Sequence, residues 1–508
     1  MDNREILTRF KSGALDRQQV LALLTGNGQA PAAPAPSQAP AAPAPSQAPT
    51  APVPSQAPVP VEPPLPAEGF AVVAVDCAFP GAAAGTAGFW EAALGAAPAG
   101  TGDTASFDPA LLCIGHEQAD ALHPEERLLL HRAHQALEGA GYAGARLDAL
   151  TGPDGEHRAV GVFTATARPH TAALLSRVLD LRGPSRNTDT GGSSFLTAVH
   201  QALGALRTGE CAAALVAGGD EREGVAVLLL KPSAAARAAG DRVHAVLTGS
   251  AAGHPGRGTS AALRERLRQR VPATVPGLDE EGTGAVALVR AVLQLRHGVL
   301  LPGPGRERPG SWPGGPRTAL AGVYEDDAPY AAVALREPPP APPEPAEEDG
   351  PHLVLLSAPT PRHLAATAGR LADWLTSFEQ APGPGAVARE LRTGRAVHAC
   401  RLAVVVHDTA ELAGALAAFA RGDAASGPRP VRHADLREAG EPLLADGLPE
   451  TRDYLAALWR GRRFEQLTRL WLAGADAPAG DRCGPPAPVL ELPTSAPLPD
   501  TREARRAG

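Results

Sequence analysis

The sequence predicts an α/β protein with one large domain, a smaller flanking α/β subdomain, and a short N-terminal helical pair on a Pro-rich tether. Three observations predict it. Apolar runs of strand length, such as Phe70-Ala-Val-Val-Ala-Val75 and Gly224-Val-Ala-Val-Leu-Leu-Leu-Lys231, alternate with segments whose apolar residues recur at helical spacing. The alternation restarts at His352 after a Pro/Glu-rich break. Residues 29–67, in contrast, carry almost nothing to bury. With 508 residues, 44% of them hydrophobic, the chain holds two or three domains with ample cores. The divisions read as a helical segment 1–28, a Pro/Ala-rich linker 29–67, a main domain 68–337, a linker 338–350, a flanking subdomain 351–425, a closing linker 426–497 and a tail 498–508.

Charge excludes more than it suggests. A formal net charge of −8 without a long run of one sign argues against a nucleic-acid grip. Only Lys11 and Lys231 among the basic residues are lysines, a compositional bias rather than a functional signal. Five scattered cysteines (Cys77, Cys113, Cys211, Cys400, Cys483) without CxxC spacing fit a reducing cytosol and no structural zinc. The start, Met1-Asp-Asn-Arg-Glu5, lacks the apolar core of a signal peptide, and no run approaches 18 apolar residues. The expectation is a cytoplasmic protein with no membrane contact.

In chain order, residues 3–25 read as two short amphipathic helices. Ile6, Leu7 and Phe10 form one stripe and Val20, Leu21 and Leu24 mark the other, with Ser12-Gly13 between them. So short a pair cannot bury its stripes alone. It packs either on its own chain or on another subunit. The segment Ser-Gln-Ala-Pro then repeats at residues 37, 46 and 55 inside the Pro/Ala-rich stretch. This composition favours extended polyproline II, a semi-rigid spacer reaching on the order of 100 Å at roughly 3.1 Å per residue.

The main domain opens with the Phe70 strand. Leu122 to Tyr142 reads as a helix with Pro124 at its start, Glu125 and Glu126 in its first turn, and glycines at its end. His131 and His134 lie three apart on it without a third ligand nearby, so a helix-surface role is expected and no metal site. Strand patterns follow at Val160–Phe163, Gly209–Gly219, Gly224–Lys231 and Gly240–Ser250. Among them stands Gly183-Pro-Ser-Arg-Asn-Thr-Asp-Thr-Gly-Gly-Ser-Ser-Phe-Leu-Thr-Ala-Val-His200. Its Phe195, Leu196, Val199, Leu203 and Leu206 recur at helical spacing, Ser193 or Ser194 can cap the start, and Gly209 follows the end. A strand-to-helix turn of this kind offers unpaired N–H groups and a helix dipole to a thiolate or an oxyanion.

Taken together, residues 70–250 resemble a polyketide ketosynthase, the condensing enzyme of the thiolase fold. The Gly183 stretch is similar to the family's nucleophile turn, which runs Gly-Pro-Ser, Asp-Thr-Ala-Cys-Ser-Ser-Ser-Leu, Ala-Val-His. Leu122–Tyr142 is similar to its Asp-Pro-Gln-Gln-Arg-Leu-Leu-Leu…Ala-Leu-Glu-Asp-Ala-Gly-Tyr segment. The resemblance implies a thiolase-like fold, truncated in its second half, and a homodimer whose contact includes the strand at Asn187-Thr-Asp-Thr190.

The same resemblance exposes what is missing. The nucleophilic cysteine falls on Gly192, which has no side chain to hold an acyl group. The family's first histidine segment, His-Gly-Thr-Gly-Thr, is absent, and the stretch between Ser250 and Gly277 is too short for the missing strands and lysine. His254 there lies in a Gly/Pro-rich loop. The chain rejoins the pattern at Gly277-Leu-Asp-Glu-Glu-Gly-Thr-Gly284, where the second histidine falls on Leu278, and Glu280 is read as a solvated loop residue. Glu325-Asp-Asp327 replaces a Gly-rich loop and puts carboxylates where an oxyanion would form. Ser193 and Ser194, without a base, serve as caps.

Residues 352–419 resemble the small subdomain that flanks ketosynthases in modular synthases, and Tyr454–Trp459, Leu470–Gly474 and Leu492–Thr494 its closing linker, as in systems whose acyltransferase acts in trans. The N-terminal helices resemble the docking segments that join synthase subunits. The expectation is therefore an inactive ketosynthase-like docking or scaffolding subunit without cofactor or metal. Its expected partners are other synthase subunits, reached through Ile6, Leu7, Phe10, Val20, Leu21 and Leu24, and an acyl carrier protein. The alternative is an enzyme that handles carrier-tethered acyl chains by non-condensing transfer or hydrolysis.

Overall fold

A computed structural model of the chain describes residues 68–95, 107–220, 224–254, 278–281, 283–303, 306–312, 314–323, 330–341, 350–438, 448–476 and 488–498. The docking candidates Ile6, Leu7, Phe10, Val20, Leu21 and Leu24, the tether, Cys483, Glu325-Asp-Asp327 and most of the 251–277 connection lie outside them.

Nine strands form one sheet. In chain order they are β1 (Phe70–Ala78), β2 (Val160–Ala165), β3 (Ser185–Thr188), β4 (Ala213–Asp220), β5 (Gly224–Pro232), β6 (Ala245–Gly253), β7 (Leu278–Glu281), β10 (Thr318–Val323) and β11 (Tyr330–Arg336); the short β8 (Val299–Leu300) and β9 (Gly310–Ser311) pair apart. Their order across the sheet is β3-β2-β4-β5-β1-β6-β11-β10-β7. The strands of the first half recur in the second with the same directions. β2 runs parallel to β4, which pairs antiparallel with β5, and β5 with β1. Likewise β7 runs parallel to β10, β10 pairs antiparallel with β11, and β11 with β6. The halves meet where Phe70 of β1 pairs with Leu247 of β6. The expected truncation can now be located. Residues 166–193 separate β2 from its helix and supply β3, whereas only residues 282 and 283 separate β7 from its own.

Helices cover both faces because strand side chains alternate. One face buries Phe70, Val72, Leu228 and Leu247 against α6 (Ser194–Thr208) and α8 (Gly284–His297). The other buries Ala71, Val73, Leu215 and Leu229 against α3 (Pro124–Gly139) and α5 (Thr171–Val178), the fifth helix after α1 (Thr86–Ala93), α2 (His116–Ala121) and α4 (Ala145–Asp148); α7 (Ser233–Ala238) follows β5. Each fully buried Leu, Val or Phe contributes about 1.5–3 kcal/mol of transfer free energy.

The start of α3 follows its sequence. His123 Nδ1 accepts from Glu125 N, Glu126 reaches back to His123 N at 3.1 Å, and Pro124 opens the first turn. One expectation fails on this helix. His131 is buried and His134 is half-buried, because α3 is covered by the sheet on one side and by the flanking subdomain on the other.

That subdomain is a sheet of β12 (His352–Ala358), β13 (Cys400–Val406) and β14 (Arg432–Asp435). α9 (Pro361–Thr376), α10 (Pro384–Gly394) and α11 (Thr409–Ala420) share one core with it, and α12 (Pro449–Arg460) and α13 (Phe464–Leu472) the other. It is fastened to the main domain by close backbone approach and by charge. A Cβ on Gly144 would collide with the carbonyl oxygen of Arg395, and Ala143 N donates to Gly394 O at 3.1 Å. Arg395 pairs with Glu138, and Arg146 bridges Asp241 at 2.9 Å and Glu390 at 3.7 Å. The strip 488–498 then crosses the seam. Val489 N donates to Gly240 O, Ser495 binds Glu138, Ala496 N donates to Thr367, and Leu498 N donates to Asp108 at 2.7 Å. Burial works against the Glu138 charge, but Arg395, His134 and the Ser495 hydroxyl and N–H hold its pKa down to about 2.

Candidate functional site

The stretch around Gly192 folds as its sequence requires. β3 enters along the sheet edge, Gly191 takes a left-handed φ of 68°, a 3-10 turn covers Gly191–Ser193, and α6 begins at Ser194. Phe195, Leu196, Ala198, Val199, Ala202, Leu203, Ala205 and Leu206 bury the inner face of α6, and Gly209 closes it with a φ of 74°. Gly191 and Gly192 are exposed at the helix start.

The serines depart from expectation. Neither makes a side-chain cap to the first helical N–H groups. The 3-10 turn already folds the backbone over the helix start, so the hydroxyls bind the turn instead. Ser193 Oγ, buried, donates to Thr190 O at 3.2 Å, while Ser194 Oγ donates to Gly191 O and accepts from Thr190 N, both at 2.7 Å. Two hydroxyls committed to holding a turn are poor nucleophiles.

The second half does reach this place. A Cβ on Gly284, the first residue of α8, would stand 3.0 Å from Leu196 Cγ and 3.5 Å from the Gly192 carbonyl oxygen. The two helix starts therefore approach closely, with room beside Gly284 for a side chain only if Leu196 shifts by a few tenths of an ångström. Leu278 opens β7, pairing with Ala319 of β10, and Glu280 pairs with Ala321. The loop expected at 278–281 is thus a strand, because the parallel register with β10 supplies its backbone hydrogen bonds. His254 follows β6 and is exposed.

No described thiol is activated. Burial pushes Cys77, Cys113, Cys211 and Cys400 upward, the last two to about 11, so all stay protonated at neutral pH. Cys77 lies in β1, Cys211 precedes β4 and Cys400 starts β13, each away from the turn in sequence and fold.

Sequence reasoning missed one pair. His200 Nδ1 lies 2.8 Å from Ser250 Oγ, both half-buried, joining α6 to β6. A serine and an imidazole at this distance are the elements of a nucleophile and its base. The signal was present in the Ala-Val-His200 wording, but fifty residues of separation hid the partner. It missed as well a buried Lys231–Asp241–Tyr142 cluster, with Lys231 Nζ 2.5 Å from Asp241 Oδ2.

Comparison with known proteins agrees with this geometry. Residues 95–269 match the family model described as beta-ketoacyl synthase, N-terminal domain, and residues 355–423 the model described as RhiE-like, KS-MAT linker domain. Polyketide synthase ThaG of Burkholderia thailandensis is 28% identical over 79% of this chain and 10% of its own length. Erythronolide synthase EryA3 of Saccharopolyspora erythraea is 27% identical over 70% of this chain and 16% of its own. The chain therefore spans a small part of the curated relatives it matches. Among solved structures, the ketosynthase from module 1 of the bacillaene synthase of Bacillus amyloliquefaciens FZB42 superposes with a TM-score of 0.72 at 17% identity, covering 85% of this chain and 99% of that one. The oxazolomycin ketosynthase domain OzmH KS7 of Streptomyces albus JA3453 does so with a TM-score of 0.67 at 23% identity, covering 85% and 98%. These likenesses establish the thiolase-like ketosynthase fold.

Proposed function

From the premise that this chain is a ketosynthase-like component of the modular polyketide synthase kind, with its flanking linker domain, we propose that it is catalytically inactive and serves as a docking or scaffolding subunit. The observation that carries this reading is Gly192. The helix start that would activate a thiolate is intact, and the residue standing there has no side chain. The two-residue connection between β7 and α8 supports it, since the second half has no room there for the elements that the first half carries.

The N-terminal segment 1–28 is the proposed docking element, the tether its spacer, and other synthase subunits and a carrier protein its partners. The edge position of β3 supports a homodimer formed through Ser185–Thr188, whose outer hydrogen-bonding groups have no strand beside them among the described residues. Among the described residues no helix is long and apolar enough to cross a membrane.

Two measurements test the proposal. Binding of the purified chain to the synthase subunits encoded near it should disappear when residues 1–28 are deleted; equal binding by both forms would overturn the docking role. Incubation with an acyl thioester should leave the intact mass unchanged.

One observation favours a second reading, an enzyme that hydrolyses or transfers acyl chains without condensing them. The Ser250–His200 pair at 2.8 Å supplies a nucleophile and a base. In that reading Ser250 Oγ attacks the thioester carbonyl, His200 takes the proton, the thiol leaves, and water releases the acyl group. Thioester hydrolysis lost in Ser250→Ala would establish it at the expense of the first.

A further inference from the structure

The flanking domain is built to part from the main domain as a unit. Among the described residues, its two cores contain none from the main domain. The links across the seam are polar groups: Arg395 to Glu138, Arg146 to Glu390 at 3.7 Å, His363 Nε2 to Asp108 Oδ2 at 2.7 Å, and Ala143 N to Gly394 O at 3.1 Å. Domains that keep separate cores and meet through polar contacts open at lower cost than either unfolds.

On this seam lies a cavity of about 20 Å3, lined by His134 and Glu138 of α3 and by Ser357, Thr367, Arg395 and His398 of the flanking domain. That is room for about one water. An imidazole protonated here gains little hydration and shares the space with the Arg395 cation. Burial pushes the His134 ring below its ordinary 6.5, with Arg395 adding to the effect and Glu138 and Asp108 opposing it. Burial also pushes His398 down to about 4, with His134 and His363 adding and Glu138 opposing. Arg370 of α9 lies in the field of Glu138, Arg395 and Arg132, and an arginine keeps its charge across this range.

We propose that this seam is a proton-operated catch, in which protonation of His134 and His398 releases the flanking domain from the main domain while each keeps its own fold. Opened to water, each ring regains its ordinary affinity for a proton. The parted form therefore binds protons that the docked form refuses. Parting is favoured as pH falls below 6.5, by up to about tenfold per pH unit for each histidine, and for His398 this continues to about pH 4. Glu138 is held down to about 2, and Asp108 is held low against burial by His363 and the N–H groups of Leu498 and Ala110, so both act in the same sense below this window. Glu390, raised by burial against Arg146 and Arg395, acts in the opposite sense with one proton. Two histidines against one carboxyl leave acid on the side of parting.

The test is hydrogen exchange of the full chain between pH 7.5 and 4.5, corrected for the intrinsic effect of pH on amide exchange. Two peptides report, one containing Ala143, whose N–H crosses the seam to Gly394 O, and one from β5 in the main sheet. The Ala143 peptide is expected to be the less protected at every pH and to lose protection steeply below pH 6.5. His134→Gln and His398→Gln should each remove part of that slope, and the two together most of it; either single variant suffices should the pair not fold. Equal protection of the two peptides would mean that the seam opens only when the whole protein unfolds, and overturns the catch. A slope that neither single variant reduces removes the histidines from it and overturns it as well.

Discussion

Lys231 Nζ stands 2.5 Å from Asp241 Oδ2 in the interior of the main domain, both side chains almost wholly buried, and the Tyr142 hydroxyl accepts from the lysine and donates to the aspartate. Arg146 joins the same carboxylate from the direction of the flanking domain. Removing the lysine leaves Asp241 with a single cation. Lys231→Met should cost about 3 kcal/mol, the lower end for breaking a buried pair, read from urea unfolding. A loss under about 1 kcal/mol would show that Arg146 alone satisfies the carboxylate.

The backbone approach at Gly144 makes a second prediction. A methyl group there meets the carbonyl of Arg395, which cannot yield as a flexible side chain would. Gly144→Ala should destabilise by about 1–3 kcal/mol and speed proteolytic cleavage in the 338–350 connection. Unaltered proteolysis would mean that the seam closes without this contact.

Acid should weaken the protein through His398. Burial, with His134 and His363 nearby and against the pull of Glu138, pushes its pKa from 6.5 down to about 4. The unfolded chain takes up that proton below pH 6.5 while the folded chain refuses it until about pH 4. Stability therefore falls across this window as pH drops. His398→Gln should flatten that part of the melting-temperature profile and leave the values above pH 7 little changed. A profile of unchanged slope would remove His398 from the balance. Asp76, raised by burial to about 6, acts in the opposite sense and is common to both proteins.

Restoring the thiol should restore only part of the chemistry. Gly192→Cys places a cysteine at the α6 start, where the helix dipole favours thiolate. An acyl adduct is expected by intact mass on exposure to an acyl thioester, with no decarboxylation of a malonyl thioester. Decarboxylation would show that other residues replace the absent histidines.

The fold was legible wherever burial and periodicity agreed. β12 appears where the apolar run His352–Ala358 stood, and Gly209 ends α6 where the helical spacing stopped. Leu278–Glu281 was not legible as a strand, because Leu-Asp-Glu-Glu has no apolar alternation and its pairing with β10 is set by residues forty positions later. His131 misled for the opposite reason. Its spacing is that of a helix surface, yet the folded chain buries it. At the site, the loss at Gly192 could be read from one letter. The bonds that engage Ser193 and Ser194, and the approach of Gly284, depend on three-dimensional neighbours that no spacing encodes.

The strip 488–498 also has a mechanical meaning. Its last described hydrogen bond, from Leu498 N to Asp108, and the Ser495–Glu138 bonds before it anchor the chain on the main domain, after the flanking domain has already been traversed. A pull on Leu498 is thus taken up in turn by Asp108 of the main domain, Thr367 of the flanking domain and Glu138 of the main domain, so the load is shared across the seam before it reaches the chain behind it. The strip works as a strain relief, a row of stitches that draws the two domains together under load instead of peeling one from the other.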